Sequence, residues 1–195
     1  MDVLILCTGN ICRSPMAEAL LTDELARRGV GATVHSAGLL DDGRPASPHS
    51  VSLMADRDLD ISAHASRVMT AAMLERADLI IGMERRHVRE AAALVPDAWS
   101  RAFTLRELAR RALDAGPRPP EVDLADWLTV LVEERTTSEH LGESSADDVA
   151  DPYGHSLRAH RKCADELDEL IGVVVDQLWP AAEPQADDVL RSTTA

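Results

Sequence analysis

The nine residues Cys7-Thr8-Gly9-Asn10-Ile11-Cys12-Arg13-Ser14-Pro15 set the architecture at the start of this 195-residue chain. The apolar run Asp2-Val3-Leu4-Ile5-Leu6 before them predicts a short buried strand, and residues 15–21 predict the first turns of a helix. A loop between a strand end and a helix start turns its backbone N–H groups inward, where the positive end of the helix dipole joins them. The stretch therefore predicts a binding loop for a tetrahedral anion such as phosphate.

Cys7 and Arg13 are the chemically distinctive side chains of this loop. Thiols beside helix N-termini and cationic groups ionise readily, so we expect the loop to keep Cys7 as a thiolate. Arg13 offers a permanently charged planar guanidinium that can bind two phosphate oxygens. Ser14 is expected to cap the helix, with Pro15 at the first helical position, and to donate its hydroxyl to the Cys7 sulfur. The competing interpretation, a buried strand cysteine beside an ordinary turn, does not explain why strand, loop glycine and helix start occur together.

The segment from Cys7 to Pro15, continued by Met16-Ala17-Glu18-Ala19-Leu20, resembles the active-site loop of the bacterial low molecular weight protein tyrosine phosphatases. The resemblance covers residues 1–97 and 151–179. It implies an α/β domain with a central four-stranded parallel sheet, helices on both faces, and hydrolysis of phosphomonoesters through a cysteinyl-phosphate on Cys7. It also places a set of loop residues at the phosphate: Thr8, Gly9, Asn10, Ile11, Cys12 and Arg13.

Asp151-Pro152-Tyr153-Gly154 matches the second motif of that family. Expelling an alkoxide or phenoxide from phosphorus needs a positioned acid, and the same carboxylate can then activate water. Pro152 restricts Asp151 to an extended backbone, which suits a loop that presents its side chain to a cleft. Taken alone, the tetrapeptide would equally fit a plain turn. Asp147 and Asp148 are weaker candidates for the acid because no proline or aromatic residue follows them.

Asn10, Ser36 and His64 match supporting residues of the family. Asn10 is expected in the left-handed conformation, which asparagine tolerates better than most residues. The resemblance implies that Ser36 and His64 brace its side chain. The alternatives are a serine at a strand end and an ordinary surface histidine. Neither a metal nor a cofactor is expected at this site.

Cys12 has two possible roles. In many family members a second loop cysteine forms a disulfide with the nucleophile and protects it from overoxidation, so a Cys7–Cys12 bridge is one prediction. The other is a small packed side chain without redox function. Cys163, on a predicted late helix, is expected to fill space in the core.

The substrate pocket is predicted to have Leu40 and Tyr153 at its lip. By resemblance, related protein-arginine phosphatases carry a threonine at the position of Ile11, where it contacts the guanidinium. An apolar side chain leaves that group unpaired, so Ile11 favours phosphotyrosine. Three alternatives remain: a protein-arginine phosphatase, a thiol-dependent arsenate reductase, and a phosphate-binding module without catalysis. The reductase lacks support because no cysteine lies between Cys12 and Cys163.

Charge limits the partners of this protein. The chain has 34 acidic residues and 20 lysines and arginines, a formal net charge of −14, which opposes binding to nucleic acid or anionic membranes. Phosphorylated substrates are anionic too, so positive charge must concentrate at the pocket, from Arg13 together with Arg44 or Arg67. Phosphotyrosine proteins are the expected substrates, and the resemblance suggests a bacterial tyrosine kinase among them. No oligomeric state is predicted.

The cellular location is predicted from two further features. No apolar run reaches the roughly 18 residues of a membrane span, and no signal peptide pattern begins the chain. A reactive thiol among only three cysteines suits a reducing compartment. We therefore expect a cytoplasmic protein.

Strand and helix patterns alternate along the chain, as in a parallel sheet covered by helices. We expect one phosphatase domain over residues 1–179, with a helical insertion at about 105–150, followed by a disordered acidic tail over 180–195. The insertion contains two predicted helices, residues 105–115 and 122–135, and a polar, mobile segment after them. It either extends the core or lies near the active site and narrows substrate choice.

Overall fold

A four-stranded parallel sheet forms the centre of the protein. The computed structural model describes residues 1–133, 135 and 145–180. The strands are β1 (Asp2–Cys7), β2 (Thr33–Gly38), β3 (Leu79–Gly82) and β4 (Ala102–Thr104), in the order β2-β1-β3-β4. All three pairings are parallel, and Cys7 pairs with Gly38 in the register of β1 and β2. The predicted sheet is thus confirmed.

Seven α-helices and one 3₁₀ helix accompany the sheet in the described part of the chain. They are α1 (Arg13–Arg27), α2 (Pro48–Ala55), α3 (Ala71–Arg76), α4 (Arg85–Leu94), the 3₁₀ helix (Pro96–Arg101), α5 (Leu105–Ala115), α6 (Leu124–Glu133) and α7 (Leu157–Leu178). None of the helices in the described ranges is both long and apolar enough to cross a membrane.

The side chains of β1 alternate between the two faces of the sheet, and the core accordingly lies in two layers, one on each face. Val3 and Ile5 belong to a large cluster that includes side chains of α1, α2, α5, α6 and α7, whereas Leu4 and Leu6 belong to a smaller one with α3 and α4. Successive strand residues point to opposite faces, so a fully apolar β1 is buried on both. The result is three layers with helices on both faces, as expected from the sequence.

The region predicted as an insertion packs into the large cluster. Its helices α5 and α6 contribute a row of buried apolar side chains: Leu105, Leu108, Ala109, Ala112, Trp127, Leu128 and Leu131. This agrees with the hypothesis that the insertion extends the core, while an influence on substrate choice stays a prediction. The second helix begins at Leu124, two residues after its predicted start. Residues 134, 136–144 and 181–195 lie outside the described part, so the division into a domain and a disordered tail also stays a prediction.

Candidate active site

The loop of residues 8–12 joins the carboxyl end of β1 to the start of α1. In open parallel sheets this edge is where ligands bind. The helix begins at Arg13, and Cys12 occupies its N-cap position without a side-chain hydrogen bond. The prediction that Ser14 caps the helix is therefore wrong, because the helix starts one residue before it. Without a side-chain cap, the first N–H groups of α1 stay available to an anion.

The Cys7 sulfur is surrounded by polar hydrogens. The backbone N–H of Asn10 donates to Sγ over 3.2 Å, and Ser14 Oγ lies 3.0 Å from it. The second contact agrees with the predicted donation from Ser14. Both contacts are of the kind that a thiolate accepts.

Asn10 is the structural centre of the loop. Its φ of +50° is left-handed, as predicted, and its Nδ2 donates to Ser14 Oγ over 2.9 Å and to Ser36 Oγ over 2.7 Å. Arg67 N donates to Oδ1, and His64 Nε2 lies 2.7 Å from the Asn10 carbonyl oxygen. The bracing contacts that the resemblance implied for Ser36 and His64 are present. They hold the loop in one conformation.

Gly38 allows the loop to lie against β2. A Cβ at this residue would lie 2.9 Å from both Asn10 N and Thr8 O. These are backbone atoms, so no side-chain rotation relieves the contact. The nearby Ser36 Oγ donates to Glu18 Oε2 over 2.5 Å, which extends the network to α1.

Arg13 is buried, with 1% of its surface exposed, and binds several acceptors. Nη1 donates to Glu84 Oε1 and to the carbonyl of Val149, while Nη2 donates to Asp151 Oδ2 over 2.6 Å and to Thr8 Oγ1. Burial opposes its charge, but the negative charges of Asp151, Cys7 and Glu84 outweigh burial and raise the pKa of Arg13.

The Nε of Arg13 differs from the other two nitrogens. It is buried and has no hydrogen-bond partner among the described residues. Unpaired buried donors are costly in folded proteins and call for a partner. A phosphate oxygen in the loop would satisfy it.

Asp151 and Tyr153 lie at the same pocket as Cys7, as predicted. The pocket has a volume of about 60 Å³, which suits a phosphate group. Its lining combines residues of the N-terminal part of the chain with two residues far along it: Cys7, Thr8, Gly9, Ile11, Cys12, Arg13, Leu40, Arg44, Asp151 and Tyr153. Asp151 Oδ1 accepts a hydrogen bond from Tyr153 N over 3.1 Å, which orients the carboxylate within its own turn. The fold thus brings the carboxylate of Asp151, which is distant in sequence, to the same pocket as the loop.

The lip of the pocket is partly apolar and partly cationic. Leu40 and Tyr153 are 48% and 58% exposed, and the guanidinium of Arg44 lies 5.9 Å from the Tyr153 ring centroid. Of the two arginines considered for the pocket mouth, Arg44 lines the pocket, whereas Arg67 donates through Nη2 to the carbonyl of Ser36. Arg13 and Arg44 therefore bring positive charge to the pocket, and Arg86 adds to it, since its Nη2 donates to Thr8 Oγ1.

Glu84 and His87 are site residues that the sequence analysis missed. Burial opposes ionisation of Glu84, but hydrogen bonding and charge from Arg13 outweigh it and lower the pKa of its carboxyl. Burial lowers the pKa of His87 to about 3. Its Nδ1 accepts from Glu84 N, so Nε2 carries the proton and donates to Thr8 Oγ1 over 3.2 Å. Glu84 follows β3 at the ligand-binding edge of the sheet, a signal that could have found it.

Asp147 and Asp148, considered and set aside as candidate acids, do not line the pocket. Both accept hydrogen bonds from Arg85. Their carboxylates therefore bind within the fold.

All three cysteines are buried free thiols. Cys12 Sγ lies 3.9 Å from His160 Nε2, and burial raises the pKa of the Cys12 thiol. Burial also raises the pKa of Cys163 to about 12, which agrees with its expected place in the core. The Cys7–Cys12 bridge stays a prediction.

The sequence matches the family model of the low molecular weight phosphotyrosine protein phosphatases over residues 2–121. The chain belongs to this family. The resemblance stated from the loop is thereby confirmed. The members of this family are phosphoric monoester hydrolases, so the chain is identified as an enzyme of that class.

Some relatives in this phosphatase family span nine tenths of this chain, and others cover a smaller part of it. A protein-arginine-phosphatase of Bacillus subtilis (strain 168) is 30% identical over 179 residues, covering 91% of this chain and 97% of the relative. A probable low molecular weight protein-tyrosine-phosphatase of Ralstonia solanacearum is 38% identical over 130 residues, covering 66% and 87%. The crystal structure of a low molecular weight protein tyrosine phosphatase from T. tengcongensis superposes with a TM-score of 0.68 at 29% identity, covering 91% and 99%.

Proposed function

We propose that this protein is a protein tyrosine phosphatase that hydrolyses phosphotyrosine monoesters through a cysteinyl-phosphate on Cys7. In this proposal Arg13 and the amides of residues 8–12 bind the phosphate. Asp151 acts first as general acid and then as general base. Asn10 and Ser14 support the loop and contact the nucleophilic sulfur of Cys7, whereas Ser36 and His64 brace Asn10.

The observation that carries the proposal is that Cys7 and Arg13 line the same phosphate-sized pocket, and that the buried Nε of Arg13 has no hydrogen-bond partner among the described residues. A buried guanidinium with a free N–H needs an anionic acceptor, and a sulfur that receives N–H and O–H donors is a suitable nucleophile. The helix N-terminus adds its dipole to the same point.

In the first step, a lone pair of the Cys7 thiolate forms the S–P bond while the bond from phosphorus to the phenolic oxygen breaks. The proton of the Asp151 carboxyl passes to that oxygen, so tyrosine leaves as a neutral phenol. A phosphate that binds Arg13 competes with Asp151 for Nη2, which releases the carboxylate to take up this proton.

In the second step, water attacks phosphorus and the S–P bond breaks. The carboxylate of Asp151 accepts the proton of the attacking water, inorganic phosphate forms, and the Cys7 thiolate is regenerated. The guanidinium and the loop amides stabilise the negative charge that is spread over the equatorial oxygens in both steps.

Ile11 supports phosphotyrosine over phosphoarginine. The relative named a protein-arginine-phosphatase makes the second substrate a real alternative. Ile11 lines the pocket and is 7% exposed, so it offers the leaving group an apolar surface. A guanidinium there would lose hydrogen bonds to water without replacement, whereas a phenol ring would not. Leu40 and Tyr153 add apolar surface on either side of the ring.

The activity of the wild type, Cys7→Ser and Asp151→Ala on a phosphotyrosine peptide tests this function between pH 5 and pH 8. Cys7→Ser should abolish turnover. Asp151→Ala should lower it about 10²–10⁴-fold and flatten the acid-side optimum. Asp114→Ala, an exposed carboxylate on α5, is the matched control and should change nothing. Phosphotyrosine hydrolysis that survives the loss of Cys7 would exclude the proposal.

Substrate choice is tested with matched phosphotyrosine and phosphoarginine peptides. We expect faster hydrolysis of phosphotyrosine, and Ile11→Thr should raise the relative rate on phosphoarginine. A wild type that prefers phosphoarginine would make the protein an arginine phosphatase. Binding of both peptides without turnover would favour the non-catalytic module, and arsenate turnover coupled to thioredoxin would favour the reductase.

We further propose phosphotyrosine proteins as partners, with a bacterial tyrosine kinase among them, and a reducing, cytoplasmic setting. The reducing setting is supported by the chemistry of Cys7, since a nucleophilic thiol must stay reduced to act. The proposed partners are tested by capture with the substrate-trapping variants Cys7→Ser and Asp151→Ala, followed by phosphotyrosine blotting.

A further inference from the structure

The segment just before Asp151 is attached to the end of β3 and to Arg13 through its main chain. Val149 N donates to the carbonyl of Met83 over 2.8 Å, at the end of β3. The carbonyl of Val149 accepts from Arg13 Nη1 over 3.0 Å. Any shift of this segment therefore moves Asp151 relative to Arg13.

Arg85 holds the two residues that precede Val149. Its backbone N donates to Asp148 Oδ1 over 2.7 Å, and its Nη2 donates to Asp147 Oδ2 over 3.1 Å. Arg85 is the first residue of α4 and is 5% exposed. Arg85 thus binds two successive carboxylates of the segment that carries Asp151, Asp148 through its backbone N–H and Asp147 through its guanidinium.

A buried carboxylate holds Arg85 in turn. Its Nη1 donates to Glu107 Oε2 over 2.7 Å, and Glu107, on α5, is fully buried. Glu107 also accepts from Arg111 Nε and from Arg135 Nε. Such charge-assisted bonds in a buried setting are strong and leave the guanidinium of Arg85 little freedom.

We infer that Arg85 is a positioning residue for Asp151, which it acts on through Asp147 and Asp148, and that Glu107 of α5 holds it in place. The inference deepens the proposed function and rests on it. It assigns the inserted helical region a part in the chemistry: α5 contributes the carboxylate that orients Arg85, and Arg85 sets where the general acid stands over Cys7.

The dependence of rate on the leaving group separates this role from a merely structural one. Dinitrophenyl phosphate needs little protonation of its leaving oxygen, whereas phenyl phosphate depends on it fully. Arg85→Met should lower kcat on phenyl phosphate by about tenfold or more and leave dinitrophenyl phosphate nearly unchanged. Arg85→Lys, which keeps the charge and one donor, should recover part of the loss. Arg89→Met, on the same helix and without a hydrogen bond or ion pair in the described structure, is the matched control.

A double variant shows whether Arg85 acts through Asp151. If it does, Arg85→Met combined with Asp151→Ala should be no slower on phenyl phosphate than Asp151→Ala alone. Asp147→Asn, at a position nearer the surface, should reproduce the leaving-group effect more weakly and takes the place of Arg85→Met if that variant does not fold.

Three outcomes would overturn the inference: equal losses of Arg85→Met on both aryl phosphates, no loss on either, or full additivity with Asp151→Ala. Failure of the proposed function looks different. In that case Asp151→Ala itself would show no dependence on the leaving group, or the wild type would not hydrolyse aryl phosphates.

Discussion

Glu84 Oε1 accepts a hydrogen bond from Arg13 Nη1 over 2.5 Å, although 71 residues separate the two in the chain. The contact fixes the guanidinium from the side of α4, while Asp151 binds its other amino group. The orientation of the phosphate-binding arginine thus depends on a residue outside the loop.

Glu84→Gln should lower kcat/KM on a phosphotyrosine peptide by about 10–100-fold, because a misplaced guanidinium stabilises the transition state poorly. Steady-state kinetics measures the loss, and thermal unfolding checks that the fold is kept. Glu90→Gln, an exposed acid on the same helix, should be neutral. An unchanged rate in Glu84→Gln would show that Arg13 needs no such support.

Gly38→Ala should distort the loop, since the added Cβ would meet the backbone of Thr8 and Asn10. We expect a loss of about 1–3 kcal/mol in the free energy of unfolding and a larger proportional loss of activity. Gly31→Ala is the control, because a Cβ there meets nothing within 4 Å. Urea unfolding and turnover are measured side by side. Equal behaviour of the two variants would contradict the prediction.

His87 should make the protein less stable in acid. Burial lowers its pKa from 6.5 to about 3 in the folded state, so between these values the unfolded chain binds more protons. Stability from this residue is complete above about pH 6.5 and declines as pH falls, by at most about 1.4 kcal/mol per pH unit. Urea unfolding between pH 5 and pH 7.5 should show a shallower decline for His87→Gln. Identical slopes would refute the assignment of this effect to His87.

Glu107→Gln should destabilise the fold strongly. The carboxylate is fully buried and faces Arg85, Arg111 and Arg135. Burial opposes its ionisation, but Arg135 and Arg85 outweigh burial and lower the pKa of its carboxyl. Removing one partner of a buried ionic cluster costs about 3–5 kcal/mol.

Equilibrium unfolding at pH 7 measures this cost, with the exposed Glu121→Gln as control. The folded pKa of Glu107 lies below the unfolded one, so its contribution is present at neutral pH and is lost as pH falls through the folded value. A loss below about 1 kcal/mol would mean that the arginines find other acceptors.

The elements of this protein were largely readable from local patterns. The apolar run before Cys7 predicted β1, and the predicted bounds of α5 match the structure. Periodicity reports which face of an element is buried, so it locates strands and helices well. The start of α1 was misplaced because a Ser-Pro pair is a typical helix opening, whereas the phosphate loop itself begins this helix.

Some residues of the candidate site were predictable from the sequence, and others were not. Cys7, Arg13, Asn10 and Asp151 stand in short motifs whose chemistry can be recognised without a structure. The contacts of Glu84, Arg85 and His87 cannot, because these residues lie at the start of α4, and the distance of that helix from the loop depends on packing.

Local sequence was sufficient for the nucleophile, the phosphate-binding arginine and the alternation that produces a parallel sheet, since each follows from neighbouring residues. The folded chain alone placed Asp151 against Arg13 across 138 positions and gathered arginines around Glu107. Contacts of this kind depend on how distant elements pack, and charged residues follow no short period that would reveal their partners.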